Sequence, residues 1–254
     1  MEYLKLVLIG MAGGTISGVL GLGGGVVMVP LLIYVVSLDV KVATAISMVQ
    51  IFFASGSGTL FNLLEKNVKI RTAVYFGLFS MAFSFLGSFF TKYIPDMTIK
   101  VLYLVAVIAS LTLFLVRSFK KKKSADIGSD DKKRLLKVIP LGAVAGFLGG
   151  ILGVGGGFLY VPVLIFFLGF PIKLAVGTSL MIILFNSVPG VIGKVLSVDF
   201  DWLTAVIISV GAIGGARLGT YIKRKIRPIY IHVIFIIVLV GIIVRVILDL
   251  AGVL

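Results

Sequence analysis

The stretches GLGGGVVMVP, residues 21–30, and GVGGGFLYVP, residues 153–162, are one motif met twice, 132 residues apart. Outward from them the same offset holds. Gly10, Gly14 and Gly18 match Gly142, Gly146 and Gly150, and downstream Ser47, Ser55, Gly58 and Gly87 match Ser179, Ser187, Gly190 and Gly219 without a gap. The chain therefore reads as two homologous membrane repeats, residues 1–117 and 138–254, joined by a basic linker at 118–137. An N-terminal segment with a twin in mid-chain belongs to the mature fold and is not a cleaved signal peptide.

Of the 254 residues, 59% are hydrophobic and 13% charged, which does not fit a surface facing water. The apolar runs are continuous, not alternating, so they predict an all-α polytopic membrane protein and not a closed barrel. Each half has four runs, roughly 4–36, 42–64, 70–91 and 98–118, then 138–169, 173–196, 201–222 and 229–250. The net charge of +14 sits between the runs and is densest from Arg117 to Lys137. That pattern is a cytoplasmic loop under the positive-inside bias, in a multi-pass protein of the plasma membrane. No aromatic interleaving accompanies the lysines, so nucleic acid is not an expected partner. There is no cysteine, hence no disulfide or thiolate chemistry.

The first run of each half is too long for one simple span and is interrupted by its glycines. Its arms are about 25 Å and 18 Å long at 1.5 Å per residue, which predicts a folded-back or re-entrant hairpin. If the run folds back, each half makes three net crossings and the repeats are inverted; if it crosses once, they are parallel. The inverted arrangement gathers Lys66, Lys69, Arg71, the linker, Lys173, Lys223, Arg224, Lys225 and Arg227 on one side. Lys5, Lys41, Lys92, Lys100 and Lys194 fall on the other, with Arg217 and Arg245 inside spans. The parallel arrangement scatters the cluster 223–227 to the opposite side, so the inverted one is expected.

The glycine breaks are the candidate chemistry. Pro30 and Pro162 follow in the first turn of a new half-helix or just beyond it, where a missing amide costs little. A half-helix start leaves amides unpartnered at the positive end of a dipole, so Gly23, Gly24, Gly25, Gly155, Gly156 and Gly157 can coordinate an anion without a cationic side chain. The plainer alternative is that small residues let helices pack closely. The dinucleotide spacing G-x-G-x-x-G fails at Val26 and Phe158. In the second runs Ser47, Gln50, Ala54 and Gly58 form a stripe equivalent to Ser179, Ile182, Asn186 and Gly190. Ser47, Gln50, Ser179 and Asn186 can donate hydrogen bonds to an oxyanion, and Thr178 adjoins that face; the alternative is helix–helix bonding.

All acidic residues lie in loops or near the ends of runs, so a buried carboxylate for a proton or cation is missing and anions are favoured. Arg217 is expected to snorkel to the interface, Arg245 to pair with Asp249 one turn on, and His232 to lie too near an interface for a central relay. No catalytic residues, metal site or cofactor are expected, and a hydrolase lacks a carboxylate to orient that histidine. Expected partners are a small anion and the bilayer, with room for a coupled proton or ion and for a homo-oligomer. A saturable carrier and a passive anion channel remain alternatives.

The paired glycine motifs, together with AVGTSLMIILFNSVPGVIGK at 175–194, resemble the TauE/SafE sulfite exporter family, also called the 4-toluene sulfonate uptake permease family. The resemblance covers nearly the whole chain. It implies a transporter moving sulfite, thiosulfate, sulfoacetate or another sulfur-containing or organic anion across the plasma membrane. The first half reads AIS at 45–47 where the second reads GTS at 177–179.

Overall fold

The structure, a computed structural model, describes residues 2–119 and 131–251. Among the described residues the order is α1 (Glu2–Leu20), α2 (Gly25–Tyr34), α3 (Val40–Leu64), α4 (Ile70–Phe90), a 3-10 turn (Thr91–Tyr93) and α5 (Asp96–Phe119), then α6 (Asp131–Leu152), α7 (Gly157–Leu168), α8 (Ile172–Val195), α9 (Trp202–Lys225) and α10 (Pro228–Leu250). The expected runs are present, and each glycine motif splits the first of its half in two. Of the linker expected at 118–137, residues 120–130 lie outside the described ones, and α6 already begins at Asp131.

Among the described residues seven helices are long and apolar enough to cross a membrane: α1, α3, α4, α5, α8, α9 and α10. Their polarity is that of a protein solvated by lipid. Val101, Val105, Val206, Val210, Ile237 and Val244 are exposed, whereas Ser47, Gln50, Asn62, Asn186, Lys194 and Lys223 are buried. In water such a surface would cost about 25 cal/mol per Å² of apolar area.

Both broken segments fold back as hairpins. Tyr3, Lys5 and Leu6 at the start of α1 line one cleft with Val35, Val36 and Leu38 beyond the end of α2. In the twin, the Tyr160 hydroxyl on α7 lies 3.5 Å from Gly142 O on α6. Although α1 is long enough to cross, α2 thus returns the chain to the end where α1 began.

Small residues set the packing, and it follows the repeat. A methyl added at Gly10 would stand 2.0 Å from Ile208 O, at Gly14 2.3 Å from Ala212 O and at Gly18 2.4 Å from Ala216 O, so α1 runs parallel to α9 at backbone contact. The equivalent α6 lies along α4 in the same way, with Gly142 against Phe76, Gly146 against Ser80 and Gly150 against Ser84. At the centre α3 and α8 are antiparallel: Gly190 meets Met48, Gly58 meets Leu180 and Gly177 meets Asn62. The equivalent helices α3 and α8 therefore run in opposite directions.

The loops sort by end as well. At one end Lys173 Nζ donates to Arg224 O at 3.2 Å and the Lys69 amide to Thr178 Oγ1 at 3.0 Å. At the other Lys41 faces Asp96 at 3.8 Å, and Asp201 caps α9 by accepting from the Thr204 hydroxyl and the amides of Thr204 and Leu203. Those bonds, the Thr204 hydroxyl first, hold the Asp201 carboxyl below the usual carboxylate range.

Two expectations about charge are corrected. Asp249 pairs with Lys100 of α5 at 2.6 Å and not with Arg245, whose guanidinium lies 4.1 Å from the Tyr34 ring centroid. A partner delivered by the antiparallel α5 displaces the weaker bond one turn along the helix. Lys194, placed among the interfacial charges, is fully buried. Arg217 is exposed and stacks over Phe61 at 5.3 Å.

Candidate anion site at the paired glycine breaks

Each break ends one helix and starts another through residues that only glycine adopts cheaply. Gly24 (φ 83°) and Gly156 (φ 76°) cap α2 and α7 in the left-handed region. The two breaks meet in the middle of the molecule. A methyl at Gly25 would be 2.7 Å from Val154 Cα, and one at Gly157 would be 2.7 Å from the carbonyl carbon of Leu22. Gly23 and Gly155 both face Ile51 and Ile183, themselves equivalent in the repeat.

The prolines explain how so short a half-helix persists. Pro30 and Pro162 sit in the second turns of α2 and α7, where each leaves the carbonyl four residues back without its donor. Both carbonyls are served from α5: the Tyr103 hydroxyl donates to Val26 O, and the Ser110 hydroxyl to Phe158 O. One helix of the first half thus secures both half-helices.

Ser47 and Ser179 also serve the breaks, crosswise. Ser47 Oγ donates to Gly153 O at 2.7 Å and Ser179 Oγ to Gly21 O at 2.8 Å, each tying the opposite half's break to the central helix pair. Thr178 is spent on the turn before α4. Asn186 is engaged at both amide atoms: its nitrogen donates to the Tyr160 hydroxyl at 2.6 Å and its oxygen accepts from Ser80 at 2.6 Å.

Gln50 alone among the candidate side chains is free. It is completely buried, neither of its amide atoms has a partner, and its Nε2 lies 3.1 Å from where a Cβ on Gly24 would stand. Around it the first break is rich in unused donors. The amides of Leu22, Gly23, Gly24, Gly25 and Val26 find no acceptor among the described residues, and Ser17 Oγ is buried and unpaired. At the second break the amides of Gly156, Gly157 and Phe158 likewise find no acceptor among the described residues, but those of Val154 and Gly155 donate to Gly149 O at 3.0 and 3.2 Å.

Ser17 was missing from the sequence-derived candidates. The signal for it was the repeat itself, which sets Ser17 opposite Gly149. A methyl at Gly149 would come within 2.3 Å of Gly156 N, so a side chain at that position keeps the break from closing onto its own helix.

Backbone amides, a hydroxyl and a carboxamide, with no carboxylate beside them, have the chemistry to donate hydrogen bonds to an anion. Comparison with known proteins points to a membrane transporter. The chain matches the sulfite exporter TauE/SafE family over residues 6–246 and belongs to it. It is 32% identical to the probable membrane transporter protein YunE of Bacillus subtilis over 260 residues, covering 94% of this chain and 95% of that protein. A probable membrane transporter protein of Methanocaldococcus jannaschii is 26% identical over 243 residues, with 90% and 89% covered. Another from Xylella fastidiosa is 29% identical over 229 residues, with 87% and 85% covered. No solved structure matches the chain.

Proposed function

We propose that this chain is a secondary transporter for small anions, sulfite or sulfur-containing organic anions, working across the plasma membrane by alternating access between inverted halves. The observation that carries the reading is the first glycine break, where unused amides lie beside the unpartnered, buried Gln50 and Ser17. Leaving such groups unpaired costs about 1 to 3 kcal/mol each, and an oxyanion accepting from them recovers that cost. The family's name supplies the sulfur chemistry, and the pyramidal sulfite it names accepts several hydrogen bonds at once.

Alternating access draws support from the opposed directions of the equivalent helices α3 and α8 and from the contact of the two break tips, which closes the centre from both sides. The end bearing Lys69, Lys173 and Arg224 is the cytoplasmic one on this reading, by the positive-inside rule.

The test is flux into proteoliposomes with a panel of sulfite, thiosulfate, sulfoacetate and chloride. Saturation with counterflow for a sulfur anion is expected. Unsaturable flux without counterflow would make the protein a passive channel, and no anion flux at all would remove the reading. Because the chain has no cysteine, Asp199→Cys and Lys225→Cys report topology directly. An impermeant reagent outside should label the first and spare the second; the reverse overturns the orientation.

A further inference from the structure

Lys194 is wholly buried, and its amine is ringed by hydrogen-bond acceptors. Its Nζ meets Thr44 Oγ1 at 2.9 Å, Thr91 Oγ1 at 2.8 Å and Ile151 O at 3.0 Å. The threonine hydroxyls have carbonyls to donate to, Thr44 to Lys41 O and Thr91 to Gly87 O, which leaves both free to accept from the lysine. Three acceptors take the three protons of an ammonium ion. No carboxylate of the described residues forms an ion pair with it.

At the opposite end of the α3–α8 pair lies a second buried lysine, Lys223, donating to Asn62 Oδ1. The repeat relates the two places and exchanges their residues. Lys194 on α8 is equivalent to Asn62 on α3, and Thr91 after α4 is equivalent to Lys223 on α9. Each end of the molecule therefore puts one lysine at the same junction, drawn from a different helix. Thr44 and Asn62 lie on α3 at opposite ends, about 27 Å apart at 1.5 Å per residue, with Ser47 and Gln50 between them.

A charge kept inside a membrane protein without a counter-ion is costly, and neutral replacements of similar volume are available to evolution. We infer that Lys194 and Lys223 are the two terminal binding stations of the anion path, each releasing its neutral acceptors when the anion arrives and passing it to or from the first glycine break. The inference rests on the anion-transport reading above and adds the side chains that supply the charge. Lys194 serves the end with Asp201, and Lys223 the end with Lys69 and Lys173.

The experiment compares Lys194→Gln and Lys223→Gln, which keep hydrogen bonding but lose the charge, with Lys194→Arg and Lys223→Arg, which keep it. Sulfite flux and counterflow are measured in proteoliposomes. The glutamine variants should raise the half-saturation concentration for sulfite about tenfold or more, and the arginine variants should recover most of that loss. Glutamine variants with unaltered half-saturation, beside an unmodified protein that transports sulfite, would overturn the stations and leave the transport reading standing. An unmodified protein that moves no sulfur anion would instead overturn the transport reading. Should a glutamine variant fail to fold, Thr91→Cys, beside Lys194, decides the matter through alkylation by an impermeant reagent. Slowing by sulfite supports the station, while unchanged alkylation, or none under any gradient, overturns it.

Discussion

At the second break Gly149 draws in the amides of Val154 and Gly155, and Tyr160, Asn186 and Ser80 close a chain of hydrogen bonds beside them. At the first break, Ser17, Met28, Ala54 and Ala212 stand at the equivalent positions, and Gln50 replaces Ile182 with both amide atoms unpaired. The backbones are nearly the same, with Gly24 at φ 83° and Gly156 at φ 76°. Duplication has preserved the turn while the polar filling diverged, so the second break pairs Val154, Gly155 and Asn186 internally where the first leaves Leu22, Gly23 and Gln50 unpaired.

The sharpest way to break the comparison is to remove what the two breaks share. Gly24→Ala and Gly156→Ala each impose a left-handed residue, worth about 1 to 2 kcal/mol. Each also sets a methyl 2.8 Å from Gly13 O or 2.6 Å from Ala145 O. Both should sharply lower the monodisperse yield on size exclusion. Gly214→Ala, whose methyl meets nothing within 4 Å, should not. Gly87, a repeat-matched glycine away from the breaks in sequence, is no substitute control, because its methyl would lie 2.1 Å from Phe147 O in the α4–α6 contact. Normal yields for both break variants would show that the turns are not held rigidly.

Changing only the first break separates binding from folding. Gln50→Leu removes an unpaired amide, so the melting temperature should rise while sulfite affinity falls about tenfold or more, the worth of a charge-assisted hydrogen bond. Unchanged affinity would return the first break to a packing role.

Changing only the second should do the opposite. Asn186→Ala takes the Tyr160 hydroxyl's donor away and should cost about 1 to 2 kcal/mol in thermal or denaturant unfolding, with a smaller loss of affinity than Gln50→Leu. A larger loss of affinity would move the binding site to the second half.

The smallest effect is expected where the halves are most alike. Ser47→Ala and Ser179→Ala each delete one crosswise bond, and membrane side-chain bonds average about 0.6 kcal/mol. Near-equal small shifts in melting temperature are expected. A tenfold drop in affinity from either would instead make that serine a ligand.

Several of these positions could be read before any coordinates. The glycine breaks, the hairpins and the helix count follow from local properties, since apolar run length and backbone freedom act on neighbours in the chain. The roles of the polar side chains were less legible. Ser47, Ser179 and Asn186 carry the right chemistry for an oxyanion, but whether a hydroxyl meets a ligand or a carbonyl depends on what the opposite half delivers. Asp249 shows the same limit, having taken Lys100 from α5 over Arg245 on its own helix.

By itself the sequence determined that this is a helical membrane protein of two repeats, each opening with a broken segment, because periodicity, hydropathy and the offset of the glycine motifs are all written along one dimension. Tertiary structure alone decided that α3 and α8 cross antiparallel, that the break tips meet, and that Tyr103 and Ser110 of one helix restore the carbonyls freed by both prolines. It also decided that Lys194 is interior, although the end of an apolar run reads as an interface. Burial is set by the neighbours packed around a residue, here Thr44, Thr91 and Ile151 from three separate segments, and no local pattern encodes where those segments meet.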